Sequence, residues 1–427
     1  MDFSVMMKHL MMSSVFYRKV VAVLMCTVAT CLFSACKDSD SKDEPAGDAA
    51  YAQSRTVLVY VVAENSLNGQ LYSDVSEMLA GMKTEGLWQN DRLVLYVDDT
   101  QLPRFYVIDR NTKETTLSAM TPVKTYDEDQ NSSSPDQLAA ALDFVQSKYP
   151  ATSYGLVLWS HASGWIPSTY AGDAASKARR SFGIDNGQNT SSASLNGHQM
   201  NIADMARVVE QKGGVDFVFF DACFMQSVEV AYELRKATQY VIGSPAEIPG
   251  PGAYYQTMVP AMFKASGYAD AMLQAYYDYY TTVRTDYGII VSSVQTSGLD
   301  NFAAYMKTVV ANRQEDLLGA SYGSLLDYFR YGIWNSEIPD MYDMQGIMRQ
   351  VLDEDGFAAW QKEVAKVATC YHADGWYSAF NRQINPIDDD QCCGVTMFVP
   401  LSKYDGSNYR FNESYLDTAW GKYVWQQ

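Results

Sequence analysis

One cysteine and one histidine stand at positions in this sequence where nucleophilic chemistry is expected. Cys223 follows the apolar run VDFVFF (215–220), and His161 ends a second run, SYGLVLWSH (153–161). Both runs have strand length and are rich in β-branched or aromatic residues, which predicts buried strands. The carboxyl ends of parallel strands lie together at one edge of a sheet, so both side chains are expected at one cleft. Cysteine with histidine is the minimal nucleophile and base for acyl transfer.

Structural roles are the alternatives for both residues. A cysteine beside an apolar strand is more often a buried core residue, and a lone histidine is often structural. A helical pattern is expected directly after Cys223, and a helix N-terminus favours a thiolate over a thiol. The rival bases, His198 and His372, do not end a buried strand. The pattern therefore favours His161 as the partner of Cys223.

A carboxylate precedes the cysteine by two residues. On an extended strand, Asp221 and Cys223 would share one face. A carboxylate there can bind the guanidinium or ammonium group of a substrate Arg or Lys. The alternative is that Asp221 caps the free N–H groups of the next helix.

The elements around these residues alternate between strand and helix. Further buried strands are predicted at 56–63 and 91–99, and helices at 70–83 and after the capping sequence that begins at Ser134. Residues 104–110 are predicted to be an edge hairpin strand. This order predicts an α/β fold with a mostly parallel sheet covered on both faces.

The pattern changes after residue 260. Helices are expected near 261–285, 299–318, 340–368 and 413–425, and strands at 288–294 and 394–400. This half of the chain either extends the same sheet or forms a subdomain beside it.

Composition excludes several classes of protein. Of the 427 residues, 47% are hydrophobic and 19% are charged, which predicts a globular core. The net charge of -18 leaves no basic face for a nucleic-acid partner. The sequence has no phosphate-binding loop and no zinc-ligand spacing, so no metal site is predicted from motifs. A disulfide between Cys370 and either Cys392 or Cys393 is left open.

The N-terminus is predicted to direct export. Residues 1–35 contain a basic pair and an apolar run shorter than the roughly 20 residues of a membrane-spanning helix. Ser34-Ala35-Cys36 resembles a bacterial lipoprotein signal, which implies lipid attachment at Cys36; plain secretion is the alternative. Residues 36–53 form an acidic tether that resembles the export tags of surface-exposed lipoproteins in Bacteroides-type bacteria. We therefore expect an outer-membrane lipoprotein of the cell envelope, surface-exposed or secreted.

Several motifs in one order resemble the clostripain family of cysteine peptidases, in the clan of caspases, legumain and gingipains. They are LVLWSHASGW, FVFFDACFMQSVEVAYEL and VIGSPAEIPGPGAYY. The resemblance is strong over roughly residues 55–260 and weaker beyond. It implies a caspase-like α/β/α sandwich over 54–260 as the catalytic domain. A C-terminal α/β extension or subdomain would follow over 261–427.

The resemblance also implies roles for individual residues. Cys223 becomes the nucleophile and His161 the base and acid of a dyad, and the backbone N–H groups of Cys223 and Ala162 form the oxyanion site. The sequence departs from the family here, because Ala162 stands where Gly is usual and Gly would allow φ > 0 or close substrate approach. Asp221 becomes the S1 residue that selects Arg or Lys. Glu247 is a further candidate for the S1 pocket.

Self-cleavage after a basic residue in the loop before Cys223 is a further implication of the resemblance. The loop over 172–195 offers three candidates, with Arg180 first and Arg179 and Lys177 after it. The alternative is a solvated loop whose charges are incidental. The chemistry requires no cofactor. Some relatives hold structural calcium, and this acidic chain could do the same, although no loop here has the sequence of a calcium site.

The predicted function is that of a lipid-anchored, monomeric cysteine endopeptidase. It would cleave protein or peptide substrates after Arg or Lys through an acyl-enzyme. The alternative, motivated by Ala162, is a weakly active or inactive relative that binds peptides or glycans at the cell surface. A second alternative is another enzyme class on the same sheet, such as a thiol transferase.

Overall fold

The apolar runs that were predicted to be buried strands form the middle of one sheet. The structure is a computed structural model, and it describes residues 54–166, 181–191, 194, 197–329, 339–405 and 410–426. Counted over these residues, the strands are β1 (Arg55–Val62), β2 (Arg92–Asp98), β3 (Arg104–Asp109), β4 (Lys124–Thr125), β5 (Ser153–Trp159), β6 (Phe182–Asp185), β7 (His198–Met200), β8 (Val215–Asp221), β9 (Thr238–Gly243), β10 (Ile290–Gln295), β11 (Ala368–His372), β12 (Gly375–Ser378) and β13 (Gln383–Pro386).

Nine of these described strands form the central sheet, in the order β11-β10-β9-β8-β5-β1-β2-β3-β4. The five strands from β9 to β2 are parallel to one another. The strands at both edges are antiparallel, and β3 forms the predicted edge hairpin with β2. The prediction of an α/β fold with a mostly parallel central sheet is confirmed. Strands β10 and β11 extend the same sheet from the second half of the chain.

Helices cover both faces of the sheet. Along β1, Val57, Val59 and Val61 enter one core, whereas Leu58 and Tyr60 enter the other, which is why the strand is apolar on both faces from residue 57 onward. The described helices are α1 (Leu71–Gly81), α2 (Pro135–Lys148), α3 (Ile202–Gln211), α4 (Val228–Glu233), α5 (Tyr255–Met262), α6 (Tyr268–Asp278), α7 (Leu299–Gly319), α8 (Met344–Val351), α9 (Glu354–Val364), α10 (Phe411–Leu416) and α11 (Ala419–Val424). Helices α1, α5 and α6 pack on the first core, and α2, α3, α4 and α7 pack on the second.

Local signals set several helix boundaries. The Ser134 hydroxyl accepts hydrogen bonds from the N–H groups of Asp136 and Gln137, and Pro135 occupies the first helical position of α2, as predicted. Helix α1 is shorter than the predicted 70–83 by one residue at its start and two at its end.

Two local predictions are wrong. No helix follows Cys223 at once, because 222–227 is irregular and α4 begins only at Val228, after the N-cap Ser227. The apolar run 394–400 is not a regular strand; within it, Thr396 makes isolated bridges to Ser227 and Asp343. Long-range contacts shape both segments, and local sequence patterns do not record such contacts.

None of the helices in the described part of the chain is both long enough and apolar enough to cross a bilayer. Residues 1–53, including the predicted lipidation site Cys36, lie outside the described part of the chain. The same holds for Lys177, Arg179 and Arg180.

Candidate active site

The register of the central sheet sets the two candidate catalytic residues side by side. In the parallel pairing of β5 with β8, Trp159 lies opposite Asp221. His161 and Cys223 each follow by two residues, so both leave the sheet at the same edge. They line one cavity of about 310 Å³, together with Ala162 and Glu247. Asp221 also lines it. The structure thus brings the candidate dyad, oxyanion and S1 residues together.

A hydroxyl group orients the histidine. The Nε2 atom of the partly buried His161 lies 2.9 Å from the Oγ of Ser66, in the turn after β1. The buried Asn65 fixes this turn, because its amide donates to the carbonyl groups of Val62 and Ile184 at 2.9 and 2.8 Å. A hydrogen bond to one ring nitrogen orients the imidazole and biases its tautomer. Sequence reasoning did not single out Ser66, since nothing in a turn near residue 66 points to β5.

Cys223 lies in the irregular segment between β8 and α4. The residue as a whole is partly exposed, but its Sγ is buried and accepts a hydrogen bond of 3.4 Å from the N–H of Ile248. The next residue, Phe224, has a φ of 63°, a conformation that large side chains rarely adopt. Its N–H donates to the carbonyl of Ala246 at 2.9 Å, which fixes the bend at Cys223.

The electrostatic surroundings of Cys223 differ from the expectation of a thiolate at a helix N-terminus. Burial raises the pKa of the Cys223 thiol to about 12, and the nearby Glu247 carboxylate raises it further. The Ile248 N–H opposes this shift. Because no helix begins at Cys223, the dipole that was expected to favour the thiolate is not aimed at it. The resting sulfur is therefore a neutral thiol at pH 7.

The N–H of Ala162 does not bond to the neighbouring strand β6. It forms a bridge with Phe182 of β6, in which the Ser163 N–H donates to Ser181 and the Gly183 N–H donates to His161, each at 3.0 Å. Ala162 and Phe182 are thus a non-hydrogen-bonded antiparallel pair, in which the N–H of Ala162 points away from β6. Ala162 is not among the described residues with positive φ. The backbone therefore does not require the conformational freedom of a glycine here.

Asp221 lies at the bottom of the cavity and is 3% exposed. Its Oδ2 accepts a 2.8 Å hydrogen bond from the Tyr255 hydroxyl, and its Oδ1 accepts one of 3.2 Å from the Ala253 N–H. Burial raises its pKa to about 6, although these two donors oppose the shift. It does not cap α4, since the Ser227 hydroxyl accepts from the Val230 N–H there.

The charge of Asp221 has no protein counterpart in the described part of the chain. None of the ion pairs between described residues includes it. Gly252 packs against it, and a Cβ at that glycine would lie 3.0 Å from Oδ2. An ionised, buried carboxylate in an open pocket favours a cationic side chain as ligand.

Glu247 lines the same cavity but directs its carboxylate toward the cavity wall. Its oxygens accept hydrogen bonds from the Ser378 hydroxyl and from the Ala379 N–H, the latter at 3.3 Å. Ala379 and Phe380 are themselves lining residues. Burial raises the pKa of Glu247 to about 7. Its geometry suits it to holding this wall and setting the electrostatics of Cys223.

Two further acids lie behind Asp221, and sequence reasoning missed both. Asp74 is buried, and its Oδ2 accepts a 2.8 Å hydrogen bond from the indole N–H of Trp159. Burial and the charge of Asp221 raise the pKa of Asp74 to about 8. Glu77 accepts from the Tyr255 N–H at 3.0 Å, and burial raises its pKa to about 7. The sequence signal that could have revealed Asp74 is an acidic residue on the otherwise apolar face of α1.

The rival bases lie elsewhere. His198 is exposed on β7, and His372 lies on the edge strand β11, where its Nδ1 is 2.9 Å from the carbonyl of Ala373. Neither lines the cavity. Cys370, Cys392 and Cys393 are free thiols.

Comparison with known proteins gives consistent matches. The model of the Clostripain family matches residues 59–351. The chain is 27% identical over 241 residues to Clostripain of Hathewaya histolytica, which covers 50% of this chain and 43% of that protein. The alignment thus spans less than half the length of this curated relative.

Two solved structures are also similar over most of the chain. One is a secreted C11 cysteine protease from Bacteroides thetaiotaomicron, in complex with an irreversible peptide inhibitor. It is 29% identical with a TM-score of 0.69, over 87% of this chain and 98% of that one. The other is an inactive zymogen C11 protease from Parabacteroides distasonis. It is 28% identical with a TM-score of 0.71, over the same shares.

Proposed function

Because the chain belongs to the Clostripain family, we propose that it is a cysteine endopeptidase that cleaves peptide bonds after Arg or Lys. Cys223 is the nucleophile and His161 the acid and base. The observation that carries the proposal is the single cavity at the ends of β5 and β8, which both residues line above the buried Asp221.

The mechanism starts from a neutral thiol, because the pKa of Cys223 is raised to about 12. As Sγ attacks the substrate carbonyl carbon, its proton passes to His161. The backbone N–H groups of Cys223 and Ala162 stabilise the oxyanion. His161 then protonates the leaving amine, which leaves a thioester on Cys223. A water molecule, deprotonated by His161, hydrolyses this acyl-enzyme and restores the thiol.

Specificity for a basic residue follows from the floor of the cavity. Asp221 is ionised above about pH 6 and has no cationic partner among the described residues. A substrate guanidinium or ammonium group supplies the missing charge. Glu247 supports the pocket by holding the wall at Ala379.

The remaining parts of the proposal rest on the sequence. The protein is exported as a monomeric lipoprotein anchored through Cys36 to the cell envelope. Cleavage of its own chain at Arg180, or at Arg179 or Lys177, activates it. These four residues lie outside the described part of the chain.

Paired reporter peptides test the proposal. The purified protein and its Cys223→Ala variant are incubated with reporters that end in Arg, Lys or Ala, and intact mass is recorded. We expect hydrolysis after Arg or Lys, none after Ala, and complete loss in the variant. Fragments whose masses correspond to cleavage near Arg180, seen with the active protein and not with the variant, support self-cleavage. Absence of turnover from a folded chain that has been cut after Arg180 contradicts the peptidase proposal and favours a binding lipoprotein.

A further inference from the structure

Two cysteines outside the candidate active site lie together at one edge of the central sheet. Cys370 lies on the edge strand β11, opposite Ser292 of β10, and Cys392 follows β13. Both pack against one small apolar cluster, which contains Tyr328 and Trp376. The Tyr328 hydroxyl is 3.7 Å from the Sγ of Cys392. The two thiols therefore share one apolar environment, although they belong to separate elements of the fold.

The segment that carries Cys392 lies directly on Cys370. Gly394 packs against the side chain of Cys370 so closely that a Cβ at this glycine would lie 2.5 Å from Sγ. The φ of Gly394 is 75°, which also favours glycine. The thiol of Cys370 interacts with that of Cys392, and this interaction and burial raise the pKa of Cys370 well above its ordinary value. The two sulfur atoms are therefore neighbours in the folded chain.

The adjacent Cys393 is turned to the other side. The backbone of Cys392 is extended, with φ -115° and ψ 119°, and neighbouring side chains on an extended chain point in opposite directions. Cys393 accordingly packs against the main core on one face of the sheet, and its Sγ lies 3.7 Å from the Val395 carbonyl. Of the two pairings that the sequence left open for Cys370, the geometry favours Cys392.

We propose that Cys370 and Cys392 form a disulfide bond by exchange with an external disulfide. The thiolate of Cys392 attacks one sulfur of that disulfide, and the other sulfur takes up a proton and leaves as a thiol. Cys370 then loses its proton and attacks the Cys392 sulfur of the mixed disulfide, which releases the second external thiol. The two protein thiols lose two electrons and two protons, and the external disulfide gains them. Cys392 acts first because the raised pKa of Cys370 disfavours the thiolate there.

The cellular location proposed above suits this chemistry. Disulfides persist in oxidising surroundings outside the cytosol, and the proposed lipoprotein is exported to the cell envelope. The bond forms whether or not the protein cleaves peptides, because neither Cys370 nor Cys392 lines the active-site cavity.

The bond closes the loop that carries one wall of this cavity. Residues 370–392 include the hairpin of β12 and β13, and its turn contains Ala379 and Phe380, which line the cavity. The Ser378 hydroxyl, at the end of β12, donates to Glu247. A cross-link across the base of the loop reduces the conformational freedom that the hairpin gains when it opens locally. The wall therefore opens less often in the oxidised chain.

The test uses the full chain carrying Cys223→Ala, so that neither the Cys223 thiol nor self-cleavage intervenes. The folded protein is incubated with oxidised glutathione or with a reductant, free thiols are blocked, and tryptic peptides are analysed without reduction. Trypsin cuts after Lys366, Arg382 and Lys403, so the two cysteines fall in different peptides. We expect peptide 367–382 to be linked to peptide 383–403 after oxidation and not after reduction.

The neighbouring cysteine supplies a matched control. Cys392→Ser should lose the linked peptides, and Cys393→Ser should keep them. Oxidation should raise the thermal midpoint of the parent and of Cys393→Ser by about 4 °C and leave that of Cys392→Ser unchanged. Cys370→Ser, which should also lose the linked peptides, replaces Cys392→Ser if that variant does not fold.

Amide hydrogen exchange tests the effect on the cavity wall. Exchange over 375–386 should be slower in the oxidised parent than in the reduced parent, whereas exchange along β1 should be equal in both. Unchanged exchange in the hairpin of the linked form would overturn the effect on the wall. Free thiols at both cysteines after oxidation of the folded parent, or linked peptides that persist in Cys392→Ser, would overturn the proposed bond.

Discussion

The Oγ of Ser66 lies 2.9 Å from the Nε2 of His161, although Ser66 follows β1, His161 follows β5, and the two residues are 95 positions apart. The turn that carries Ser66 is anchored by Asn65, which donates to the carbonyl of Ile184. The candidate base is therefore held through three segments of the chain. Its orientation depends on contacts outside the dyad.

The first prediction concerns this hydroxyl. Ser66→Ala should lower kcat for an Arg reporter about 10-fold and leave KM nearly unchanged, because the imidazole loses an orienting partner but the pocket stays intact. Ser66→Thr keeps the hydroxyl and should retain most of the activity. An equal loss in both variants would show that Ser66 matters for packing and not for the orientation of His161.

The second prediction concerns the pH dependence of specificity. The pKa of Asp221 is raised to about 6, so this carboxylate is ionised above that pH and neutral below it. The ratio of kcat/KM for an Arg reporter to that for an uncharged reporter should rise between pH 5 and pH 7. Because both reporters depend on the same Cys223 and His161, the ratio cancels the pH dependence that comes from these two residues. Asp221→Asn should flatten the profile and lower kcat/KM for Arg about 100-fold; a profile that survives the substitution would assign specificity elsewhere.

The third prediction concerns the resting thiol. Since the pKa of Cys223 is raised to about 12, alkylation by iodoacetamide should be slow at pH 7. The rate should rise about tenfold per pH unit up to pH 10, because each unit multiplies the thiolate fraction by that factor. Mass spectrometry of the peptide containing Cys223 separates it from the other cysteines. A rate that is already maximal near pH 7 would instead indicate a resting thiolate.

The fourth prediction concerns the departure from the family at Ala162. Because φ at this position is not positive and the N–H points away from β6, Ala162→Gly should change kcat/KM by less than about fivefold. Gly164, at φ 78°, provides a contrast, since Gly164→Ala should be strongly destabilising. A large gain of activity in Ala162→Gly would mean that the methyl group obstructs the substrate.

The fifth prediction concerns stability. Burial raises the folded-state pKa of Asp74 to about 8, above the value of about 3.9 in an unfolded chain. The folded state therefore binds this proton more tightly, and its stability falls as pH rises from about 4 to about 8. Asp74→Asn removes this loss and should raise the thermal midpoint by about 2 °C at pH 8, and by less at pH 5. Asp127→Asn, on an exposed loop, is the control.

Local sequence patterns were enough to predict the buried strands and the residues at their ends. Strands β5 and β8 are buried on both faces, and their apolar runs record that fact, so the meeting of His161 and Cys223 followed from topology. The shape of the chain after Cys223 did not follow. It depends on Ala246 and Ser244, whose carbonyl groups accept from Phe224 and Gln226.

A group of carboxylates near the site escaped sequence reasoning for the same reason. Oxygen atoms of Glu64, Asp98 and Asp129 lie within 4.8 Å of one another, although the three residues belong to separate segments of the chain. Only the parallel register of β1 with β2, which sets Val62 opposite Asp98, brings their ends together.

The segment that follows Cys223 is held by hydrogen bonds to residues that lie much later in the chain, at and near Thr396. The Val228 N–H donates to the carbonyl of Thr396 at 2.9 Å, and the Thr396 N–H donates to that of Gln226 at 3.1 Å. The Phe398 N–H donates to Glu229. These partners leave the ribosome long after Cys223, and contacts so distant in the chain form last. The segment around Cys223 therefore lacks these three hydrogen bonds until residues 396–398 have been synthesised.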